Sequence, residues 1–174
     1  RRDGVARYPA RFQLILAANP CPCAPTDPQD CLCNAGAKRR YQGKLSGPLV
    51  DRIDIQVEVP AVKPGEIMGA ADGEASAVIA ARVLVARQRQ QARQGSTNAE
   101  LPVAGLEQHC ALDQSARDLL QRAAERLGWS GRGLHRVQRL ARTIADLAGS
   151  ERIAPLHVAE AMQWRRGLPA AASA

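Results

Sequence analysis

Four cysteines carry the densest chemistry in this sequence. Cys21-x-Cys23 and Cys31-x-Cys33 place four thiols within thirteen residues. Four thiolates can supply a tetrahedral sulfur site for Zn2+. The one-residue spacers are tighter than the usual two to four. A reversible pair of disulfides, or thiols with no metal at all, are therefore open readings of the same spacing. Cys110 stands apart on a predicted helix and reads as a small core residue.

Charged and polar residues form three further candidates. Asn19 ends an apolar run, where the C-terminal end of a buried parallel strand meets ligands in open α/β sheets. Its amide could orient a water or touch a terminal phosphate; a turn Asn before Pro20 is the plainer reading. In Ser46-Gly47-Pro48-Leu49-Val50-Asp51-Arg52-Ile53-Asp54, Asp51 can hold Arg52 in place. A rigidly presented guanidinium stabilises charge in phosphoryl transfer, and the plainer reading is a surface Arg in a turn. The helix start Ser130-Gly131-Arg132-Gly133 leads into Arg136 and Arg139. These arginines recur along one face, from which Arg132 or Arg136 could reach a nucleotide; a solvated charged face is the alternative. His109, His135 and His157 lie in different predicted elements and read as structural or surface residues. No His-x-x-x-His, Ser-His-Asp or Cys-His arrangement supports a hydrolytic site.

The elements that must position these residues divide by pattern. Phe12–Ala18 is a near-continuous apolar run, predicted as a strand buried on both faces of a parallel sheet. Residues 20–36, rich in Pro, Cys, Asp and Gly, are predicted as an irregular loop. Gly43, Gly47 and Pro48 rule out one long helix over 41–51, and Leu49–Arg52 fits a single helical turn. Ile53–Val59 alternates apolar with polar residues, a half-exposed strand closed by Pro60. From Glu74 the pattern turns helical. One helix runs to Gln94 with Gly95 as its C-cap, and 98–107 reads as a loop or short turn. Asp113 caps a helix with Leu119, Leu120, Ala123 and Leu127 on one face, ending at Gly128. Ser130 caps another, carrying Leu134, Val137, Leu140, Ala141, Ile144 and Leu147 and ending at Gly149. Pro155 opens a last helix with Val158, Ala161 and Met162. Residues 73–166 thus read as a bundle of about four helices, and the tail 167–174 as disordered.

Composition bounds the class. Hydrophobic residues make up 45% and aromatics only 3% of the 174 residues, so a core must be built from Leu, Ile, Val and Ala, which favours helices. The net charge of +7 comes almost entirely from Arg, whose fork suits phosphate and carboxylate partners, although a solvated surface also accounts for it. No apolar run approaches the ~20 residues of a membrane helix. Arg1 begins the chain without Met or a signal-peptide pattern, so the expectation is a fragment of a soluble, cytoplasmic protein.

Three strings together resemble one family. FQLILAANPCPCAPTDPQDCLCN, then RYQGKLSGPLVDRIDIQVEVP, then SGRGLHRVQRLARTIADLAGSERIAPLHVAEAMQWR are similar to the magnesium-chelatase-like AAA+ ATPases of bacteria. The competence-associated branch, similar to a hexameric DNA branch-migration helicase, resembles them most. The resemblance implies an α+β chain: residues 1–62 as the C-terminal strands of an AAA+ α/β core, then 73–166 as a mainly α, four-helix lid. It implies that Asn19 is sensor 1, Arg52 the arginine finger acting on ATP of the adjacent subunit, and Arg132 the sensor-2 arginine, with Arg136 as the second choice. ATP with Mg2+ is the implied cofactor, and self-association into a ring, with DNA as partner, the implied assembly. The phosphate-binding GxxxxGK[ST] loop does not occur, so this chain alone is expected not to hydrolyse ATP. Ala24 stands where a glycine often follows the CPC segment, so the turn there is expected to differ. A porphyrin magnesium-chelatase motor subunit and a non-enzymatic, zinc-stabilised nucleic-acid-binding module are the competing expectations.

Overall fold

The two helices at the centre of the core, which start after Asp113 and Ser130, form where the sequence supplies both an apolar stripe and a capping side chain. In the computed structural model, which describes residues 6–165 apart from 11, 26, 27, 46, 63 and 70–72, eight α-helices are seen among the described residues: α1 (Ala35–Gln42), α2 (Gly47–Val50), α3 (Pro64–Ile67), α4 (Ser76–Gln94), α5 (Val103–His109), α6 (Gln114–Leu127), α7 (Gly131–Leu147) and α8 (Pro155–Gln163). The chain divides into two compact units, Arg1–Lys44 and Leu45–Ala174. The expected tail 167–174 lies outside the described residues.

The second unit holds the core. The Asp113 carboxylate accepts from Ala116 N at 2.7 Å and starts α6. Gly128 ends that helix at φ 63°, a left-handed conformation that glycine adopts without steric cost. Ala116, Leu120 and Ala123 recur at helical spacing and are buried. Ser130 Oγ accepts from Gly133 N at 3.2 Å to open α7, which buries Val137, Ala141, Ile144 and Ala145. Pro155 sits in the first turn of α8, where its missing N–H costs nothing, and Val158, Ala161 and Met162 point inward. Helix α7 packs against α8 and α4, and α6 against α8. Cys110 is fully buried in this core beside α5, and burial pushes its thiol up to about 11.

A polar node fastens α4 to α7. Asp146, 1% exposed, accepts from Arg93 Nη1 at 2.6 Å, Asn98 Nδ2 at 2.8 Å and Arg142 Nε at 3.1 Å. Arg142 also donates to the Glu151 carbonyl at 2.7 Å, and burial lowers its pKa. Gln90 Oε1 accepts from Asn98 N at 3.0 Å, so every arm of this buried cluster ends on a partner.

Three expectations need correction. Neither Phe12–Ala18 nor Ile53–Val59 is a strand; among the described residues the only β pairing is an isolated parallel bridge between Leu112 and Ile153. An apolar run becomes a strand only when a neighbour pairs its N–H and C=O groups. Here no strand partner is present among the described residues, and Phe12 stands 74% exposed. The α+β expectation therefore reduces to a mainly helical chain. Second, of the loop or short turn expected over 98–107, only the turn at its start is present, and a helix takes up the rest. A 3-10 turn, Asn98–Glu100, is capped by Thr97, whose N and Oγ1 both donate to Glu100 Oε2, and α5 follows, burying Leu106. Third, residues 35–42 form α1 rather than extending the loop to 36: the Asn34 side chain accepts from Ala37 N at 2.8 Å and starts the helix.

Candidate functional site

The turn that carries Arg52 is short and tightly held. Arg52 N donates to Leu49 O at 2.9 Å and Ile53 N to Val50 O at 3.1 Å, closing the turn after α2. The C-terminal helices then fix the backbone beyond it. Arg136, on the second turn of α7, donates to the Arg52 carbonyl at 2.7 Å and pairs with the Asp54 carboxylate. Arg165 donates to the Ile53 carbonyl and to Asp51 Oδ1, each at 3.4 Å. Gln56 N donates to Trp164 O at 2.7 Å. The Arg165 side chain is almost fully buried, and burial lowers its pKa. The Arg52 side chain itself is exposed. A backbone gripped at consecutive residues beside an exposed arginine suits a group that must meet an anion at a fixed place.

The arginine row of α7 is not a uniform solvated face. Arg132 is exposed in the first turn. Arg136 is committed to the Arg52 turn, and Arg139 donates to the Leu101 carbonyl at 2.8 and 3.1 Å. Arg142 lies in the Asp146 node. Sequence reasoning grouped the first three by face and missed Arg165 and Arg142. For Arg165 the carboxylate of Asp51 was the available signal, and for Arg142 the Asp four residues on, Asp146, at helical i, i+4 spacing. His157 Nδ1 accepts from Ala154 N at 3.0 Å, a helix-capping use.

The first unit brings the four cysteines together. Cys21 Sγ lies 3.4 Å from Cys23 Sγ and 3.5 Å from Cys31 Sγ, and Cys23 Sγ lies 3.7 Å from Cys31 Sγ. All four sulfurs, including that of Cys33, lie within 4.8 Å of one another. Ala24 N donates to Cys21 O at 3.3 Å, the turn that folds the first pair back on itself. Ala24 adopts φ 44° there, the left-handed region that glycine occupies freely and alanine does not. The Cys31 thiol is held down to about 6, first by a backbone hydrogen bond from Cys33, then by the neighbouring thiols and the Lys38 ammonium, against the opposing effect of burial. The Cys21 thiol is pushed up by burial, and Lys38 is raised by its hydrogen bond to Cys31. Asn19, also in this unit, is exposed at the end of the apolar run.

A helical bundle with an arginine-gripped turn, following a cysteine-bearing segment, has matches among known proteins. Residues 73–165 match the family model "Magnesium chelatase, subunit ChlI C-terminal", and residues 1–67 match "Magnesium chelatase, subunit ChlI". The chain belongs to the magnesium-chelatase-like family, in its competence-associated branch. It is 48% identical over 170 residues to an uncharacterized protein of Mycobacterium tuberculosis, covering 95% of this chain and 34% of that protein. It is 38% identical over 173 residues to competence protein ComM of Haemophilus influenzae, covering 95% of this chain and 33% of ComM. It is also 38% identical over 159 residues to the uncharacterized protein YifB of Escherichia coli, covering 91% of this chain and 31% of YifB. The chain thus spans about a third of the length of these relatives. No described helix is long and apolar enough to cross a membrane.

Proposed function

We propose that this chain is the C-terminal part of an AAA+ motor that hydrolyses ATP between subunits of a ring. In this reading residues 1–62 end the ATPase core and 73–166 form its lid. Arg52 is the arginine finger: its exposed guanidinium stabilises the charge that develops on the γ-phosphate of ATP held by the adjacent subunit. Asn19 is sensor 1, and Arg132, exposed at the start of α7, is the lid arginine that meets the subunit's own nucleotide. Mg2+ bound with ATP neutralises the phosphates. The GxxxxGK[ST] loop that cradles them does not occur in these 174 residues.

The observation that carries this reading is the grip on the Arg52 turn by Arg136, Arg165 and Trp164. A finger acts in trans only if its backbone is fixed relative to its own lid, because a misplacement of about 1 Å can cost on the order of a hundredfold in rate. Arg136 is then a positioning residue rather than a nucleotide sensor, which leaves Arg132 as the sensor-2 residue. Because α7 carries both, a lid movement set by nucleotide at Arg132 would move the finger offered to the neighbour. DNA as the substrate is supported by the competence role in the name of ComM and by the net charge of +7.

The test is Arg52→Ala in the full-length protein. ATP turnover should fall by roughly three to five orders of magnitude, the range associated with arginine fingers, while nucleotide binding stays nearly unchanged. Mixing this variant with a second one defective only in phosphate-loop binding should restore turnover at the mixed interfaces. Hydrolysis at the wild-type rate by Arg52→Ala would sink the assignment.

A further inference from the structure

The cysteine cluster lies outside the phosphate chemistry and makes its own demand. Its thiols are free rather than paired in disulfides. The sulfur separations of 3.4, 3.5 and 3.7 Å far exceed the ~2.05 Å of a disulfide bond. They lie close to the edge of a tetrahedron built on a ~2.3 Å zinc–sulfur bond, which is about 3.8 Å. Cys21, Cys23, Cys31 and Cys33 reach this arrangement from two separated stretches of chain, each fixed by its own device. The first pair is folded by the turn that ends at Ala24, and the second leads straight into Asn34, the cap of α1. Neither device needs the sulfurs to face one another, yet all four converge.

Burial and charge argue in the same direction. Among the described residues of the first unit, Cys21 alone is buried. Leu32, between the second pair, is 93% exposed, and no described residue of this segment belongs to the apolar core. Small units without a core depend on disulfides or metals for their order. A zinc ion held by four thiolates carries a net charge of −2, and the Lys38 ammonium hydrogen-bonds Cys31 at the edge of the cluster. Soft thiolate donors in tetrahedral array select Zn2+ over Mg2+ or Ca2+, which take oxygen ligands.

We propose that Cys21, Cys23, Cys31 and Cys33 bind one zinc ion as four thiolates, a structural site that ties the two Cys-x-Cys segments to the start of α1. On binding, the four thiols give up their protons to solvent and the ion sheds its waters; no redox step is involved. The site is closed, with no position left for a substrate or a catalytic water. It is independent of the nucleotide reading above and stands or falls without it.

The test uses the 174-residue chain, grown in zinc-supplemented medium and purified with reductant and without chelator. Elemental analysis should find about one zinc per chain, as a closed four-ligand site requires. In Cys23→Ser/Cys33→Ser zinc should fall below about a tenth of that, with the helical circular dichroism retained, because the helices of the second unit do not depend on these thiols. Cys110→Ala should keep its zinc. A second measurement needs no variant: after zinc removal, Co2+ should give the intense visible bands and thiolate-to-cobalt charge transfer of a tetrahedral four-sulfur site. Zinc well below one per chain in the wild type, iron in its place, zinc retained by the double variant, or an octahedral cobalt spectrum would each overturn the proposal.

Discussion

Two polar clusters hold irregular backbone in this molecule, and they differ in whether the chain completes them. Around Asp146, one carboxylate meets Arg93, Arg142 and Asn98, and the outer arms of those residues end on carbonyls and side chains of the same unit. Around Cys21, four sulfurs meet one another and Lys38. The first cluster has donors for its acceptors and opposite charge for its charge. The second gathers like groups that become mutually repulsive once ionised. Neutral thiols can share protons at these separations, whereas four thiolates so close together need a cation between them. The contrast is between a node whose charges are balanced within the chain and one whose charges, once the thiols ionise, are balanced only by the proposed zinc.

The largest expected effect breaks the completed node. Asp146→Ala leaves the buried Arg142 guanidinium without its carboxylate and takes one from the part-exposed Arg93, a change that costs about 3–5 kcal/mol. Urea unfolding of the 174-residue chain, followed by helical circular dichroism, should show a large fall in midpoint while the zinc content is unchanged. Loss of zinc in that variant would show that the two clusters depend on each other and would undo the contrast. A smaller effect belongs to the cap of α7. Ser130→Ala removes the acceptor for Gly133 N and should cost about 1 kcal/mol, within the ~0.5–2 kcal/mol range for such caps. The same unfolding experiment checks it, and again zinc should not move.

How much of this could be read from the sequence follows the same division. Helices α4, α6, α7 and α8 were legible because each carries apolar residues at helical spacing and at least one end signal of its own: Gly95 after α4, Asp113 and Gly128 around α6, Ser130 before α7 and Pro155 in the first turn of α8. Their hydrogen bonds close within a few residues, so local pattern suffices. Phe12–Ala18 has an equally clear apolar pattern, but a strand is completed by residues far away in sequence, and pattern cannot supply a partner. Exposed Val78, Ile79, Val83 and Val85 on α4 make the related point that apolar spacing alone does not say which face is covered. Among the site residues, the convergence of the four cysteines was legible from their pairing. The commitment of Arg136 to the Arg52 carbonyl was not, because residues 84 apart in sequence meet only through the packing of α7.

The smallest effect sharpens the cysteine side of the contrast, and its sign rests on two opposed physical effects. Ala24 holds φ 44° in the turn behind Cys23, a conformation that costs a non-glycine residue about 1–3 kcal/mol. Glycine removes that strain, but it loses more backbone freedom on ordering, roughly 0.5–1 kcal/mol. Ala24 is exposed, so its methyl group contributes no packing to offset the relief. The strain outweighs the entropy loss, and Ala24→Gly should therefore tighten zinc binding by up to about tenfold, the equivalent of ~1.4 kcal/mol. Competition with a chromophoric chelator measures the shift directly. If the affinity instead stays the same, the turn is pre-set by its own backbone and the metal does not bear the cost of forming it. The cysteine cluster would then resemble the Asp146 node, arranged before any partner arrives.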